Sequence, residues 1–328
     1  MNKVSRIIAT SYDLTVTASE EASRFGVRDI DIEHVLLALV LDEGPAGRAL
    51  RSTGITLDAA RSAVADQHRE QLATLGIDAP LPGDGRIRAA FQNGHEWTDR
   101  ATKLLSDSGS HGRKGDTEAV LRAALAERSG TIDDLLQRLG TTPSAVASRL
   151  DEAPDTPSSR PPADGRLSRT RTAFVPAPVD DVWAYVSDPE RLPEWDMNLA
   201  HIRPDHEAWI GETRTTAPDG KQLKVRANAV QQRISRTAAT EPRHVTWEMR
   251  YPDAPRANRR RIAIDIDPAP GGSRITVRFA WVRGPGPTGL MRLIAPVTRV
   301  LARPVVAIAL WVQVTVLTGA ISRALRDA

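Results

Sequence analysis

The sequence predicts a multidomain chain: an all-α double repeat, then an α+β domain whose antiparallel sheet is covered by a long C-terminal helix. Three observations carry this. Apolar residues recur at helical spacing through the first half, where one segment returns after 85 residues. Past a proline-rich stretch the apolar pattern changes to period two, and the chain ends in a long apolar, helix-compatible segment from Gly289 to Ala328. A length of 328 residues also suggests about two domains.

Composition bounds the function classes. Hydrophobic residues make up 41% and charged residues 26%, which disfavours wholesale disorder, collagen-like repeats and a multi-span membrane protein. The absence of cysteine excludes a disulfide framework and a cysteine nucleophile, and is compatible with a reducing compartment. Basic residues near the N-terminus are followed by no apolar h-region before Tyr12 and Asp13, so no secretory signal is read and a cytoplasmic location is expected. The net charge of +3 hides an asymmetry. Through Glu152 there are 18 Lys+Arg against 23 Asp+Glu, or −5; from Ala153 onward there are 26 against 18, or +8. Such halves attract each other or select different partners.

The run Glu152–Arg166 holds four prolines and no apolar period, and reads as an extended tether. It sets the expected domains at 1–150, a linker at 151–165, and 166–328, with repeats at about 1–72 and 86–150. Within the first domain Asp31-Ile-Glu-His-Val-Leu-Leu-Ala-Leu-Val40 is matched by Asp116-Thr-Glu-Ala-Val-Leu-Arg-Ala-Ala-Leu125. Each is followed by a short helix that ends in Leu-x-x-x-Gly, at Leu50–Gly54 and Leu136–Gly140. An Asp stands before each apolar run as an N-cap, and Glu33 and Glu118 fall in the first turn, where the helix dipole favours a carboxylate. The second copy departs from the first: Ala119 replaces His34, Arg122 interrupts the apolar run, and 109–115 reads as a polar insertion. Its first helix is expected to start near Arg86.

Ala18-Ser-Glu-Glu-Ala-Ser-Arg-Phe-Gly26 and Ile30-Asp-Ile-Glu-His-Val-Leu-Leu-Ala-Leu39 resemble the Clp N-terminal (Clp R) repeat domain. That family follows A-x-E-E-A, a short turn, and I-x-T-E-H-(I/L)-L-L-x-L. The resemblance implies a module that receives Clp-system substrates, adaptors or cyclic-peptide ligands, with a role in proteostasis. It also makes Glu33, His34 and Glu118 candidates for peptide or phosphoarginine binding; stabilising their own helix N-termini is the competing role for the two glutamates, and a buried structural histidine for His34. No G-x-x-x-x-G-K-(S/T) occurs, so ATP binding has no basis in the sequence.

In the second half four segments alternate: Leu223/Val225/Ala227/Ala229, Val245/Trp247/Met249, Ile262/Ile264/Ile266 and Ile275/Val277/Phe279/Trp281. They predict an antiparallel sheet with one apolar and one wet face, joined by hairpins such as Pro268–Ser273. The segment Arg171–Trp195, with P-x-x-x-V-W followed by S-D-P-x-x-L-P-x-W, resembles the START-like (SRPBCC) polyketide cyclase/dehydrase superfamily. That resemblance implies a helix-grip fold enclosing a site for a hydrophobic small molecule or lipid. Trp247, Met249, Ile264, Phe279 and Trp281 are the candidates to line it.

No metal spacing appears among the seven histidines, and no cofactor or nucleic-acid partner is expected. The four apolar faces carry no ionisable group, which leaves Asp196, His201 and Arg250 on loops and helices as acid–base candidates. Arg259-Arg260-Arg261 reads as a solvated turn and strand edge. The 19 uncharged residues 304–322 raise a membrane span, but Pro304, Gly319, Gln313 and the sheet's need for a cover favour a soluble helix. The expectation is a binding protein, an adaptor, decoy or sensor. The alternatives are a cyclase- or dehydrase-like enzyme with a Clp-docking domain, and a membrane-tethered version of either.

Overall fold

A computed structural model describes residues 3–78, 82–88, 94–109, 116–152, 167–217, 220–284 and 291–327, with backbone alone for 3–11 and 291–304. Contacts divide the chain into two compact units, Met1–Pro157 and Ser158–Arg326. Residues 153–166 of the proline-rich tether and 110–115 of the expected insertion at 109–115 lie outside the described residues.

The first unit is helical: α1 (Lys3–Phe25), α2 (Ile32–Val40), α3 (Pro45–Ser52) and α4 (Leu57–Thr74), then α5 (Asp99–Gly109), α6 (Thr117–Leu125), α7 (Thr131–Arg138) and α8 (Pro143–Glu152). The repeated segments are α2 and α6, capped at Asp31 and Asp116. Gly54 and Gly140 follow α3 and α7 at φ 90° and 73°, the left-handed conformation that ends a helix most cheaply at glycine. All nine residues of α2 are buried, so it forms the centre of the unit. The A-x-E-E-A motif packs Ala18 and Ala22 at zero exposure and carries Glu21 inward. There Arg61 of α4 meets it with two hydrogen bonds, of 2.8 and 3.0 Å.

The repeats interlock through their caps. A short parallel pair joins β1 (Asp29–Ile30) to β2 (Glu96–Trp97). Just beyond β2, Thr98 donates to the Asp31 carboxylate at 2.7 Å and Arg100 pairs with the same group. Thr117 at the start of α6 donates to Asp42 at the end of α2, at 2.8 Å. Among the described residues, the first helix of the second repeat starts at Asp99 and not near Arg86: 86–88 are irregular chain, with Ile87 buried, and the helix follows β2.

The second unit is a seven-stranded antiparallel sheet in the order β3-β9-β8-β7-β6-β5-β4. Its strands are β3 (Leu167–Val175), β4 (Leu199–Asp205), β5 (Ala208–Thr213), β6 (Gln231–Thr240), β7 (His244–Arg250), β8 (Arg259–Ala269) and β9 (Gly272–Val282). Between β3 and β4 lie α9 (Val179–Ser187) and the single turn α10 (Leu192–Trp195); α11 (Met291–Asp327) closes the chain. The expected β7, β8 and β9 are present, and β8 and β9 join through a hairpin at Pro270-Gly271 with Gly271 at φ 78°. The expected strand at Leu223–Ala229 is not one. It is irregular chain ending in a 3-10 turn at Ala227–Ala229, with Leu223 exposed, because its alternate residues have no sheet face to enter.

Ile234, Val245, Trp247, Met249, Ile262, Ile264, Ile266, Ile275, Val277 and Phe279 form the inner sheet face, all at most 1% exposed. Val182 and Val186 of α9 and Leu310, Val314, Leu317 and Ile321 of α11 pack onto it in one continuous cluster. By the area rule each such side chain contributes about 1.5–3 kcal/mol, which makes the covering helix part of the core.

Candidate functional site

The S-D-P-x-x-L-P-x-W stretch is a corner that turns the chain into the sheet. Asp188 accepts from the Glu190 N–H at 2.9 Å, Pro189 opens a 3-10 turn, and Pro193 sits in the first turn of α10. The chain leaves α10 at Asp196 in an extended conformation, and both Trp195 and Asp196 end fully buried.

Arg260 meets Asp196 there. Residue 260 shares the parity of Ile262, Ile264 and Ile266 on β8, so its guanidinium enters the apolar face. It donates to the two Asp196 oxygens at 3.1 and 2.8 Å and to Gln232 Oε1 of β6 at 2.8 Å. Gln232 in turn donates to Thr213 of β5 at 2.7 Å. Asn198 donates to Asp196 and to Gln313 of α11, each at 3.1 Å, which extends the network to the covering helix. On the neighbouring strands Met249 and Trp281 pair with Arg260 in register.

This network corrects two expectations. The inner face does carry an ionisable group, and Arg259–Arg261 is strand, not a solvated turn. The three arginines alternate across the sheet. Arg260 points inward, while Arg259 and Arg261 point outward and, with Arg250, hold the buried Glu248 at 2.7–3.1 Å. The outer face is therefore not uniformly wet. Arg250 is committed to Glu248, and His201 lies exposed on the edge strand β4.

The electrostatics fix the role of Asp196. Burial alone pushes its carboxyl up, but the Arg260 guanidinium, with Asn198, outweighs that and holds it below the ordinary carboxylate value. With both oxygens bound to Arg260, Asp196 stays ionised and is a poor proton shuttle.

Of the apolar candidates, Trp247, Met249, Ile264 and Phe279 have no exposed surface. Trp247 donates its indole N–H to the Val186 carbonyl at 3.1 Å and meets Trp209 edge-on at 5.7 Å. Trp281 differs: it is only part-buried, at the margin of the cluster, 6.3 Å from Phe279. The inner face thus runs from a filled apolar centre to a polar end where Arg260 and Trp281 stand side by side.

In the helical unit, Glu33 and His34 are buried on α2. One Glu33 oxygen meets His68 Nε2 at 3.2 Å; the other is buried without a hydrogen-bond partner. His34 Nδ1 accepts from the Asp31 N–H at 3.1 Å, completing a capping box that α6, with Ala119 in that place, lacks. Glu118 is bound by Arg122, the residue that departs from the repeat, and Arg122 also holds Asp151 at 2.7 Å.

Burial holds the His34 imidazole below its ordinary value, against the raising effect of Glu33. Its folded pKa is depressed, so the unfolded chain binds the extra proton first. The stability His34 contributes is complete above about pH 6.5 and is lost as pH falls below that value. Hydrogen exchange in α2, corrected for intrinsic rates, should show falling protection from about pH 7.5 to about pH 5.5. His34→Gln, which can keep the cap, should flatten that profile. An unchanged slope in this variant would assign the pH dependence to another group.

Two family models match the chain. Residues 13–99 match the Clp repeat (R) N-terminal domain, and residues 166–308 match the polyketide cyclase / dehydrase and lipid transport family. No curated protein matches. Among solved structures, the Polyketide_cyc-like protein Cgl2372 from Corynebacterium glutamicum is 17% identical over 49% of this chain and 91% of its own, with a TM-score of 0.30. The di-domain ARO/CYC StfQ of the steffimycin biosynthetic pathway is 16% identical over 55% of this chain and 59% of its own, with a TM-score of 0.32. Protein NE0264 from Nitrosomonas europaea is 18% identical over 50% and 99%, with a TM-score of 0.31. The chain therefore carries a Clp N-terminal repeat over residues 13–99 and a polyketide cyclase/dehydrase-like, START-like domain over residues 166–308.

Proposed function

We propose that this is a non-enzymatic binding protein that couples a Clp-type peptide- or adaptor-recognition module to a site for a hydrophobic small molecule between the sheet and α11. The observation that carries the reading is the inner sheet face: a continuous apolar centre, with the buried Asp196–Arg260 pair held at one end in a network with Gln232 and Asn198. A ligand enters past Trp281, where burial is incomplete, and α11 moves to admit it. Binding has apolar surface to use, whereas acid–base catalysis would need a carboxyl free to exchange its proton.

Native mass spectrometry of the full chain tests this directly. A co-purifying lipid or polyketide is expected, and adding it back should quench or shift tryptophan emission. Retention of no small molecule, with no emission change across a panel of apolar probes, would overturn the ligand half of the proposal. The enzyme alternative rests on the family description, which names cyclases and dehydrases. Turnover of a polyketide substrate that is lost in a folded Asp196→Asn variant would establish it.

In the helical half, Glu33 is the acceptor proposed for a cationic peptide group, because Glu118 is already held by Arg122; its unpartnered oxygen is buried, so binding requires the start of α2 to open beside His68. Glu33→Gln is expected to weaken binding of an arginine-phosphorylated peptide by about tenfold, the loss of one charge-assisted contact. Equal affinity for the two proteins would leave Glu33 with only a structural role. The halves are further proposed to fold independently, so residues 1–150 and 166–328 expressed separately should each unfold cooperatively. A molten fragment would show that the boundary at the tether is wrong.

A further inference from the structure

We infer that the outer face of the C-terminal sheet holds a site for the dianionic phosphoryl group of a small soluble phosphate monoester, built around Arg278 and Arg261. It lies on the side of the sheet away from α11, so it is independent of the hydrophobic ligand proposed above. Register places its parts. One row across the sheet reads Thr170 of β3, Arg278 of β9, Ala263 of β8 and Thr246 of β7; the next reads Ser168, Ala280, Arg261 and Glu248. These residues alternate along their strands with inner-face residues such as Phe279, Ile262 and Trp247, and so face outward. Arg278 and Arg261 are diagonal neighbours, with Cα atoms about 7–8 Å apart, and the other diagonal is Ala263 and Ala280. Methyl groups are all that this second diagonal sets between the two guanidinium groups.

Three polar atoms in these rows are left over. Arg278 Nε, Arg261 Nε and Thr170 Oγ1 are each buried with no hydrogen-bond partner. A buried donor without an acceptor is costly, and two arginine donors with a hydroxyl at adjoining positions are the complement of a group rich in oxygen acceptors. Arg261 gives one nitrogen to Glu248 at 2.8 Å and shares that carboxylate with Arg250 and Arg259. Arg278 has no ion-pair partner among the described residues, because its other diagonal neighbour, Asp265, is taken by His244 at 2.6 Å.

Charge selects the occupant. Arg250, Arg259, Arg261 and Arg278 stand against Glu248 and Asp265, four positive charges to two negative with His244 neutral. A phosphate monoester at neutral pH carries nearly two negative charges and three acceptor oxygens, enough to engage two guanidinium forks where a carboxylate engages one. Glu248 and Asp265 flank the arginine diagonal and repel an extended polyanion, such as nucleic acid or an anionic bilayer. The orphaned atoms are covered, so Arg278 and Arg261 lift from the alanine floor and close on the phosphoryl group, and Thr170 adds its hydroxyl.

The test is isothermal titration calorimetry of the full chain with phenyl phosphate, with acetate as the comparator. Saturable single-site binding of phenyl phosphate is expected, weakening as salt is raised, with acetate much weaker. Arg278→Gln removes a guanidinium that holds no acid among the described residues, and should weaken binding by roughly tenfold or more. Ala263→Glu sets a carboxylate on the floor and should abolish binding; it is the second readout if Arg278→Gln fails to fold. Arg226→Gln, at an exposed position on irregular chain, should change nothing. Far-ultraviolet circular dichroism and tryptophan emission check the folds. Four outcomes would overturn the inference: no saturable binding, unchanged binding by the folded variants of Arg278 and Ala263, an equal loss in Arg226→Gln, or acetate binding as tightly as phenyl phosphate. Tighter binding of a DNA oligonucleotide or of phosphatidylglycerol vesicles, lost in Arg278→Gln, would also overturn it and assign the face to that polyanion.

Discussion

Replacing Arg260 with alanine is expected to destabilise the C-terminal unit by about 3–5 kcal/mol, the usual cost of leaving one partner of a buried ion pair alone. Asp196 is fully buried and would keep only Asn198 as a described side-chain donor, while Gln232 would lose the donor to its carbonyl oxygen. The pair Asp196→Asn with Arg260→Met removes both charges and should recover most of the loss, since the Asn198 contact and the volume are largely kept. Urea unfolding followed by tryptophan emission reads this unit selectively, because six of the seven tryptophans lie beyond residue 166. The pH dependence has a definite sign. The folded Asp196 carboxyl titrates below its unfolded value, so its contribution is present above about pH 4 and disappears as pH falls through the folded pKa. The double variant should lack that acid-sensitive component. If Arg260→Ala alone cost less than about 1 kcal/mol, water would be reaching Asp196, and the polar end of the face would be an open site instead of a closed network.

Legibility in the sequence followed how local each signal is. Asp31, Asp116, Gly54 and Gly140 act within a few residues of themselves, so caps and stops are readable from the repeat alone. β7, β8 and β9 alternate in sequence because the residues along the middle of each strand face the same cluster. β3 hid because it is an edge strand with Arg169 and Arg171 opposite Phe279 and Val277, where solvent or Thr315 of α11 satisfies the charge. β6 hid for another reason. Only Gln232 and Ile234 turn inward, and the strand then runs out past the core, so its period-two signal is two residues long. Leu223–Ala229 alternates without a sheet face to meet, which shows that pattern alone does not secure a strand. Arg260 was concealed by its own neighbours: three consecutive arginines look like solvated charge, yet a strand sends the middle one to the opposite face from the other two. Its parity with Ile262, Ile264 and Ile266 was the available signal, and its partner Asp196 is the first residue after the tryptophan that ends the S-D-P-x-x-L-P-x-W motif.

Phe279→Ala is expected to cost the ligand-free protein about 3–5 kcal/mol, because the ring is fully buried between β3 and β8 and the cluster closes around it. The response of this variant to ligand separates a packed core from a binding site. Should the native occupant of the inner face be a hydrophobic small molecule, Phe279 lies between the filled centre at Trp247 and the margin at Trp281, in the path the ligand takes. The truncated variant would then have room for a larger occupant, and the ligand identified by native mass spectrometry should raise its stability by more than it raises that of the parent. Saturation at about a hundred times the dissociation constant would return about 2.7 kcal/mol. Met249→Ala beside Arg260 should behave in the same way with a smaller initial loss, whereas Ile321→Ala on the helix side should lose stability without gaining affinity. Thermal unfolding across a ligand titration measures all three. Equal stabilisation of parent and variants would place the ligand away from this face. No stabilisation of any of them would make the inner face a solid core, and the C-terminal unit would then have to act through its surfaces.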